Sequence, residues 1–412
     1  MKKFAIFVLL LILAFSLPAK PNVIFILTDD LGYGDVGGPL IRTPRLNGLA
    51  AEGTILTDHY CAAPVCAPSR ASLLTGKRQG HCSVKNNEFD KPIAERVTIG
   101  TVMKSAGYHT YAVGKWGCAG GGESKQPISA HPLDRGFDHF YGFRDHLAGH
   151  TYFHYDGYRN GVWMGIDEDR TNATKSAEGR YSTELFTDKA IGYIDDCRKQ
   201  HPGEPFFVYL AYTTVHGPFE IPGEVYKEYR SLPPIMGRYA TCITILDEQI
   251  GRLVDHLKQT GALDDTVIIF TSDNGPAKEY GADPDFFHSA GPFRGIKRDV
   301  YEGGMRVPTF IWKRGANWPK RDTSPSISVD WLPTLAELAG SSAPAGLDGV
   351  SLLPRWTGNG ESKPSTIATR YWFNRQQEME RVGDISRVRI GGDSAPWQEY
   401  DLKRDPHQDH PL

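Results

Sequence analysis

Three runs of almost unbroken apolar residues, Val23-Ile24-Phe25-Ile26-Leu27, Phe206-Phe207-Val208-Tyr209-Leu210 and Thr266-Val267-Ile268-Ile269-Phe270, each lead into a polar cluster. A short run without polar alternation reads as a strand buried on both faces, as in a parallel sheet between helix layers. The clusters that follow are Thr28-Asp29-Asp30, Thr213 to His216, and Ser272-Asp273-Asn274. In open α/β sheets ligands bind beyond the carboxyl ends of strands, so three such clusters predict one shared site.

Helical patterns fill the intervals. Thr43-Pro44 supplies a cap and a first-turn proline, with Gly53 as the stop. Ile99, Val102, Met103 and Ala106 mark a second helix that ends at Gly107 before a strand through Tyr111-Ala112-Val113. Phe186, Ala190, Tyr193, Ile194 and Cys197 share one helical face, and so do Cys242, Ile243, Leu246, Ile250, Leu253 and Leu257 before Gly261. This alternation predicts an α/β fold with a mainly parallel sheet flanked by helices. After residue 340 the texture changes. Ser341 to Gly349 reads as a linker or long loop, and possible strands follow at Thr366 to Trp372 and Val388 to Ile390. The expected organisation is 1–19 signal peptide, 20–340 catalytic domain, and 341–412 a small, shortened C-terminal α+β subdomain.

Lys2-Lys3, an apolar stretch from Phe4 to Phe15 and Ser16-Leu17-Pro18-Ala19 form an export signal. The apolar stretch is too short for a bilayer, which needs roughly 20 residues, so no stable membrane span is expected. The expected location is periplasmic or extracellular. With 46 basic and 49 acidic residues the chain has no field suited to nucleic acid. The six cysteines (61, 66, 82, 118, 197, 242) are too sparse for a disulfide scaffold, and if Cys66 serves chemistry at least one of the others stays unpaired. Asn172-Ala173-Thr174 is a glycosylation sequon that matters only in a host that glycosylates.

Cys66-Ala67-Pro68-Ser69-Arg70 precedes Ala71-Ser72-Leu73-Leu74-Thr75-Gly76. Pro68 suits a first helical turn and Gly76 a C-terminal cap, which puts Cys66 at a helix N-terminus where free N–H groups favour an anion. Arg70 adds a fork-shaped cation suited to tetrahedral oxyanions. Asp29, Asp30, Asp273 and Asn274 are hard oxygen ligands suited to Ca²⁺ or Mg²⁺ and not to zinc. On their own, Asp29-Asp30 also read as a turn or helix cap, Lys115 as a surface lysine and His216 before Gly217-Pro218 as a turn residue.

The Cys-x-Pro-x-Arg string with its Leu-Leu-Thr-Gly continuation resembles the signature of the type I, formylglycine-dependent sulfatases, arylsulfatase-like members of the alkaline phosphatase superfamily. Asn22 to Asp35, Gly114-Lys115-Trp116, Thr271 to Gly275, Gly291 to Pro308 and Gln398 to Pro406 resemble further motifs of that family in family order. The resemblance implies an alkaline-phosphatase-like core and hydrolysis of a sulfate monoester, with a sulfated carbohydrate as the substrate class by family analogy. It implies that a separate formylglycine-generating enzyme converts Cys66 to the nucleophile, and that Asp29, Asp30, Asp273 and Asn274, with the modified Cys66 side chain, hold one calcium ion. One hydroxyl of the hydrated aldehyde then attacks sulfur and the second expels sulfate. Arg70, Lys115 and Lys297 offset charge on the sulfate oxygens, and His216 with Lys297 assists the departing alcohol. The partner expected is a sulfated small molecule or glycan. Two alternatives stand beside this reading: a phosphate or phosphonate ester hydrolase on the same fold, and a non-catalytic binder of sulfated glycans.

Two departures matter. The commonest family motif is Gly-Lys-Trp-His, whereas Gly117 follows Trp116 here. His81, in the loop after Thr75-Gly76, is the stand-in that the sequence offers. The chain also runs only to Leu412, without a closing helix. Loops 120–132 and 146–163 are expected to select substrate, with Tyr152, Phe153, Tyr155, Tyr158 and Trp163 available to stack on sugar rings.

Overall fold

The computed structural model describes residues 20–87, 91–121, 128–154, 158–159, 162–172, 179–371 and 376–412. The expected export signal, Tyr155, Trp372 and Ala173-Thr174 of the sequon lie outside them. A ten-stranded sheet organises the chain. Its strands are β1 (Asn22–Thr28), β2 (Thr54–Leu56), β3 (His109–Lys115), β4 (His139–Phe143), β5 (Asp167–Glu168), β6 (Thr171–Asn172), β7 (Phe206–Ala211), β8 (Thr266–Ser272), β9 (Phe310–Lys313) and β10 (Arg321–Asp322). Their order across the sheet is β10-β2-β9-β8-β1-β7-β3-β4-β5-β6. The five central strands, β8 to β4 in that order, pair in parallel, and antiparallel strands flank them.

Strand alternation sorts the apolar runs to two faces. Ile24 and Ile26 face a core built with α1 (Pro44–Glu52), α4 (Ser182–Gln200) and α5 (Pro234–Gln259). Val23, Phe25 and Leu27 face the opposite core, built with α2 (Cys66–Thr75), α3 (Ile99–Ser105) and α6 (Trp331–Leu338). Each such side chain contributes about 1.5–3 kcal/mol by leaving water. Truncating fully buried Phe25, which packs edge-on to Trp331, to alanine would cost about 3–5 kcal/mol. The helix boundaries follow their expected signals. Thr98 closes a capping box with Thr101 ahead of α3, and Gly76 ends α2 at φ 65°.

Register decides where the polar clusters fall. Thr28 pairs with Ser272, Leu27 with Ala211, and Ala211 with Gly114. Asp29, Asp273, Tyr212 and Lys115 therefore emerge side by side at one sheet edge. Gly114, at φ 101°, lies where a Cβ would come 1.9 Å from Ala211 O, so only glycine lets these strands close just before Lys115.

Beyond residue 340, Leu352 and Trp356 pack into the core beneath the main sheet, Trp356 6.2 Å from Trp331. The small C-terminal unit is, from 367 to 401, an antiparallel sheet of β11 (Ile367–Tyr371), β12 (Gln377–Val382), β13 (Ile385–Ile390) and β14 (Gln398–Asp401). The second and fourth of these were not among the expected strands; β12 carries charged residues between its apolar ones and lacks an apolar run. The unit docks through Ile367, Met379, Val388 and Tyr400 on Tyr60, Val65, Met305 and Val307. All six cysteines are buried free thiols.

Candidate active site

The structure gathers every expected site residue at the carboxyl edge of the central strands. Asp29 and Asp30 follow β1, Asp273 and Asn274 follow β8, Lys115 ends β3, and His216 follows β7. Cys66 is the first residue of α2, and Arg70 lies one turn later on the same helix. Lys297 arrives from a long loop. Asp30 takes a left-handed conformation (φ 59°) that Asp tolerates better than most residues. Its N–H bonds Asp273 Oδ1 at 3.2 Å, and Leu31 N–H bonds Ser272 Oγ at 3.1 Å, so the β1 and β8 ends are tied together.

Cys66 Sγ lies 3.2 Å from Asp29 Oδ1 and 3.8 Å from Asp30 Oδ1. Lys115 Nζ donates to Asp29 Oδ2 at 2.5 Å, and Lys297 Nζ to Asp30 Oδ2 at 2.8 Å. Arg70 donates through Nε to Asp273 Oδ2 at 2.8 Å and through Nη1 to Lys115 O at 2.9 Å. Its Nη2 is 3.2 Å from Asp29 Oδ2 but has no hydrogen-bond partner. Three carboxylates face three cations, all buried. Burial would raise the Asp29 carboxyl, but Lys115 and Arg70 outweigh it and hold it well below the usual range. Burial and the nearby Asp29 push Asp273 up to about 7. Burial, Asp273 and Asp29 also push the Cys66 thiol well above 9, the opposite of an activated cysteine nucleophile.

A hard divalent cation fits this donor set. Asp29, Asp30 and Asp273 bring oxygens within 4.8 Å of one another and of Cys66 Sγ. Asn274 Oδ1 is buried without a partner, while its Nδ2 donates to Asp30 Oδ1 at 2.7 Å. A dication would add two positive charges to a cluster whose own charges cancel, leaving it suited to an anionic ligand. A surface cavity of about 600 Å³ around Pro39, Tyr229 and Phe287 shares no residue with the cluster.

Sequence reasoning missed three partners. Glu279 lies 3.5 Å from Lys297 Nζ and 3.9 Å from His216 Nε2. His150 stacks on His216 with ring centroids 3.8 Å apart, and His146 meets His150 edge-on at 4.8 Å. The His146-Leu147-Ala148-Gly149-His150 spacing was the available signal, and it lay in a loop marked only for substrate selection. His81 does not join them: its exposed ring bonds Asp348 at 2.9 Å, so the expected stand-in is corrected. Tyr152 is corrected too, since it is fully buried and stacks on Tyr181, which leaves no face for a sugar. His216 donates Nδ1–H to Gly217 O at 2.6 Å, which leaves Nε2 as an acceptor facing Asp30 at 3.7 Å.

The profile of the family described as Sulfatase matches residues 21–341. Arylsulfatase J of Mus musculus is 35% identical over 333 residues, covering 78% of this chain and 53% of that protein. N-acetylgalactosamine-6-sulfatase of Homo sapiens is 31% identical over 373 residues, covering 82% and 66%. The chain thus spans between half and two thirds of the length of these curated relatives. The crystal structure of Ps i-CgsB superposes with a TM-score of 0.79 at 28% identity, covering 95% of this chain and 88% of that one. That protein has also been solved in complex with k-i-k-neocarrahexaose. Shared fold, a profile match over most of the length, and strand-end residues gathered around Cys66 lead to one assignment: the chain belongs to the sulfatase family.

Proposed function

We propose that this chain is an exported, calcium-dependent sulfatase that hydrolyses a sulfate monoester on a carbohydrate, with Cys66 as the residue converted to formylglycine. The observation that carries the reading is the buried set of three carboxylates and three cations around Cys66, with Arg70 Nη2 and Asn274 Oδ1 still unbonded. The reaction is R–O–SO₃⁻ plus water to R–OH, sulfate and a proton. Calcium held by Asp29, Asp30, Asp273 and Asn274 would supply Lewis acidity, and hydrated formylglycine at position 66 an oxygen nucleophile.

The protein's own groups do the rest. Arg70 Nη2 and Lys115 bind the sulfate oxygens, where preorganised cations act on developing charge in a water-poor site. Lys297 serves the leaving oxygen as a charge-assisted donor. His216, whose ring proton is committed to Gly217 O, orients that side through Nε2. The carbohydrate class follows from the relatives: one is named for N-acetylgalactosamine-6-sulfate chemistry, and one neighbour binds a neocarrahexaose.

The test pairs mass spectrometry with turnover. Protein from a formylglycine-competent host is digested, and the tryptic peptide Leu46 to Arg70 is weighed. Conversion of Cys66 with Cys61 unchanged, together with sulfate release from sulfated oligosaccharides in calcium, is expected. Converted protein that releases phosphate from phosphate esters but no sulfate from sulfate esters would overturn the reading.

A further inference from the structure

Gly117 leaves a gap beside the sulfate-binding cations that another part of the chain borders. A methyl placed on Gly117 would lie 3.7 Å from His146 Nδ1, 3.8 Å from Arg70 Cδ and 3.9 Å from Lys115 Cε. His146 comes from the loop after β4, 29 residues further along the chain, and its Nδ1 faces the space between Arg70 and Lys115. The proton on that ring is assigned by its neighbours. Ala67 N–H can only donate, and it bonds Asn87 Oδ1 at 2.9 Å, which fixes the amide orientation. Asn87 Nδ2 therefore turns to His146 Nε2 at 3.3 Å and donates to it. In the neutral ring the proton then sits on Nδ1. Burial and the Lys115 cation keep the ring neutral, well below the usual histidine range. Asn87 so links the first turn of α2, next to Cys66, to the imidazole.

Resting on the sulfatase reading, we propose that His146 is a further catalytic residue whose Nδ1–H donates to an anionic sulfate oxygen between Arg70 and Lys115, held in that tautomer by Asn87 as a positioning residue. The imidazole approaches from a loop on another strand and borders the space that a side chain on position 117 would enter. No bond is made or broken at His146; it contributes one oriented donor to the charge that Arg70 and Lys115 also face. A hydrogen bond to a charged group is worth about 1.5–3 kcal/mol, or about 10- to 100-fold in affinity.

The experiment uses the full chain and two readouts. In C66S protein with calcium, inorganic sulfate is titrated calorimetrically; H146A is expected to weaken binding about 10-fold or more. H146N, whose amide places an N–H near the Nδ1 position, is expected to keep most of the affinity and guards against mere misfolding. In ¹⁵N-histidine-labelled protein His146 is expected as the Nδ1–H tautomer, and N87A is expected to shift it toward Nε2–H. In formylglycine-bearing enzyme, H146A is expected to lower kcat/KM by about 10²-fold, the scale of one lost oxyanion donor. The exposed variant H81A is expected to change neither readout. Unchanged sulfate affinity and turnover in H146A, or an Nε2–H tautomer in the parent protein, would overturn the proposal. If H146A weakens sulfate binding while the converted parent enzyme hydrolyses no sulfate ester, the sulfatase reading falls and the assignment of His146 to the anion stands.

Discussion

Two buried ionic networks in this molecule carry balanced charge, and they differ in what they leave unfinished. At the strand ends, Asp29, Asp30 and Asp273 face Arg70, Lys115 and Lys297, yet Arg70 Nη2 and Asn274 Oδ1 make no hydrogen bond, although Nη2 keeps an ion pair with Asp29 at 3.2 Å. Where the C-terminal sheet docks, Asp58 and Glu302 face Arg306 and Arg381 around Tyr60. Arg306 spends Nε on Glu302 at 2.8 Å, Nη1 on Asp58 at 3.1 Å and Nη2 on the Tyr60 hydroxyl at 3.2 Å. Arg381 bonds Asp58 at 2.6 Å, Gly383 O at 2.8 Å and the Tyr60 hydroxyl. In the docking network both guanidinium groups are fully bonded and rigid; in the site one guanidinium and one amide have capacity held open. The docking network leaves one carboxylate oxygen, Glu302 Oε1, without a hydrogen bond, whereas the site leaves a cationic donor and an amide oxygen open, the pair that an anion and a metal would use.

Four expected outcomes test that contrast, in falling order of size. R381M should cost about 3–5 kcal/mol of stability, because the half-buried Asp58 and the fully buried Tyr60 hydroxyl each lose a charged partner, while kcat/KM of the folded fraction holds. Urea unfolding beside turnover of active-site-titrated protein measures both; a variant as stable as the parent would erase the structural role. K115A should invert the pattern, lowering kcat/KM by about 10²- to 10³-fold with the smaller effect on stability. Comparable losses in the two properties would make the networks alike. Chelation should lower the melting temperature, and readdition of calcium at about 100 times its Kd should restore about 2.7 kcal/mol. D273N should lose this calcium response and R381M should keep it; the reverse would put the metal elsewhere.

The smallest effect concerns His59, next to the docking network. Trp331 Nε1–H donates to its Nε2 at 3.2 Å, so its Nδ1–H donates to Ser326 Oγ at 2.9 Å. Burial, helped by Arg355, lowers its pKa to about 3. The unfolded ring protonates near 6.5 and the folded ring only near 3, so the stability it contributes is full above 6.5 and is lost as pH falls toward 3. The slope is at most about 1.4 kcal/mol per pH unit. Buried Asp35 and Asp330, each raised to about 6, work the other way between pH 6 and 4. Comparing the parent with H59Q isolates the histidine. The stability advantage of the parent should shrink as pH drops below 6.5, and a constant difference would refute the assignment.

Much of the site was legible because its residues are short extensions of strands or of one helix. Asp29-Asp30, Ser272-Asp273-Asn274 and Lys115 are consecutive with apolar runs, and parallel pairing brings the ends of such runs to one edge whatever lies between them. Cys66 and Arg70 are one helical turn apart, a spacing that the helix converts into proximity. The C-terminal sheet was less visible. Its strands are half exposed and interrupted by charges such as Glu378, Glu380, Arg387 and Arg389, so their pairing depends on what they dock against.

From its sequence alone this protein determines the α/β architecture and the edge where chemistry gathers. Those properties depend on apolar runs, turn residues and neighbours in the chain, whereas Lys115, His216 and Lys297 were picked out by the family resemblance of their motifs. Tertiary structure alone decided that His81 stays with Asp348 at the surface, that Tyr152 belongs to the core, and that His146 borders the space beside Gly117. The physical reason is range: Asn87 and His146 are 59 residues apart and meet only because β4 lies beside β3, a contact that no local periodicity encodes.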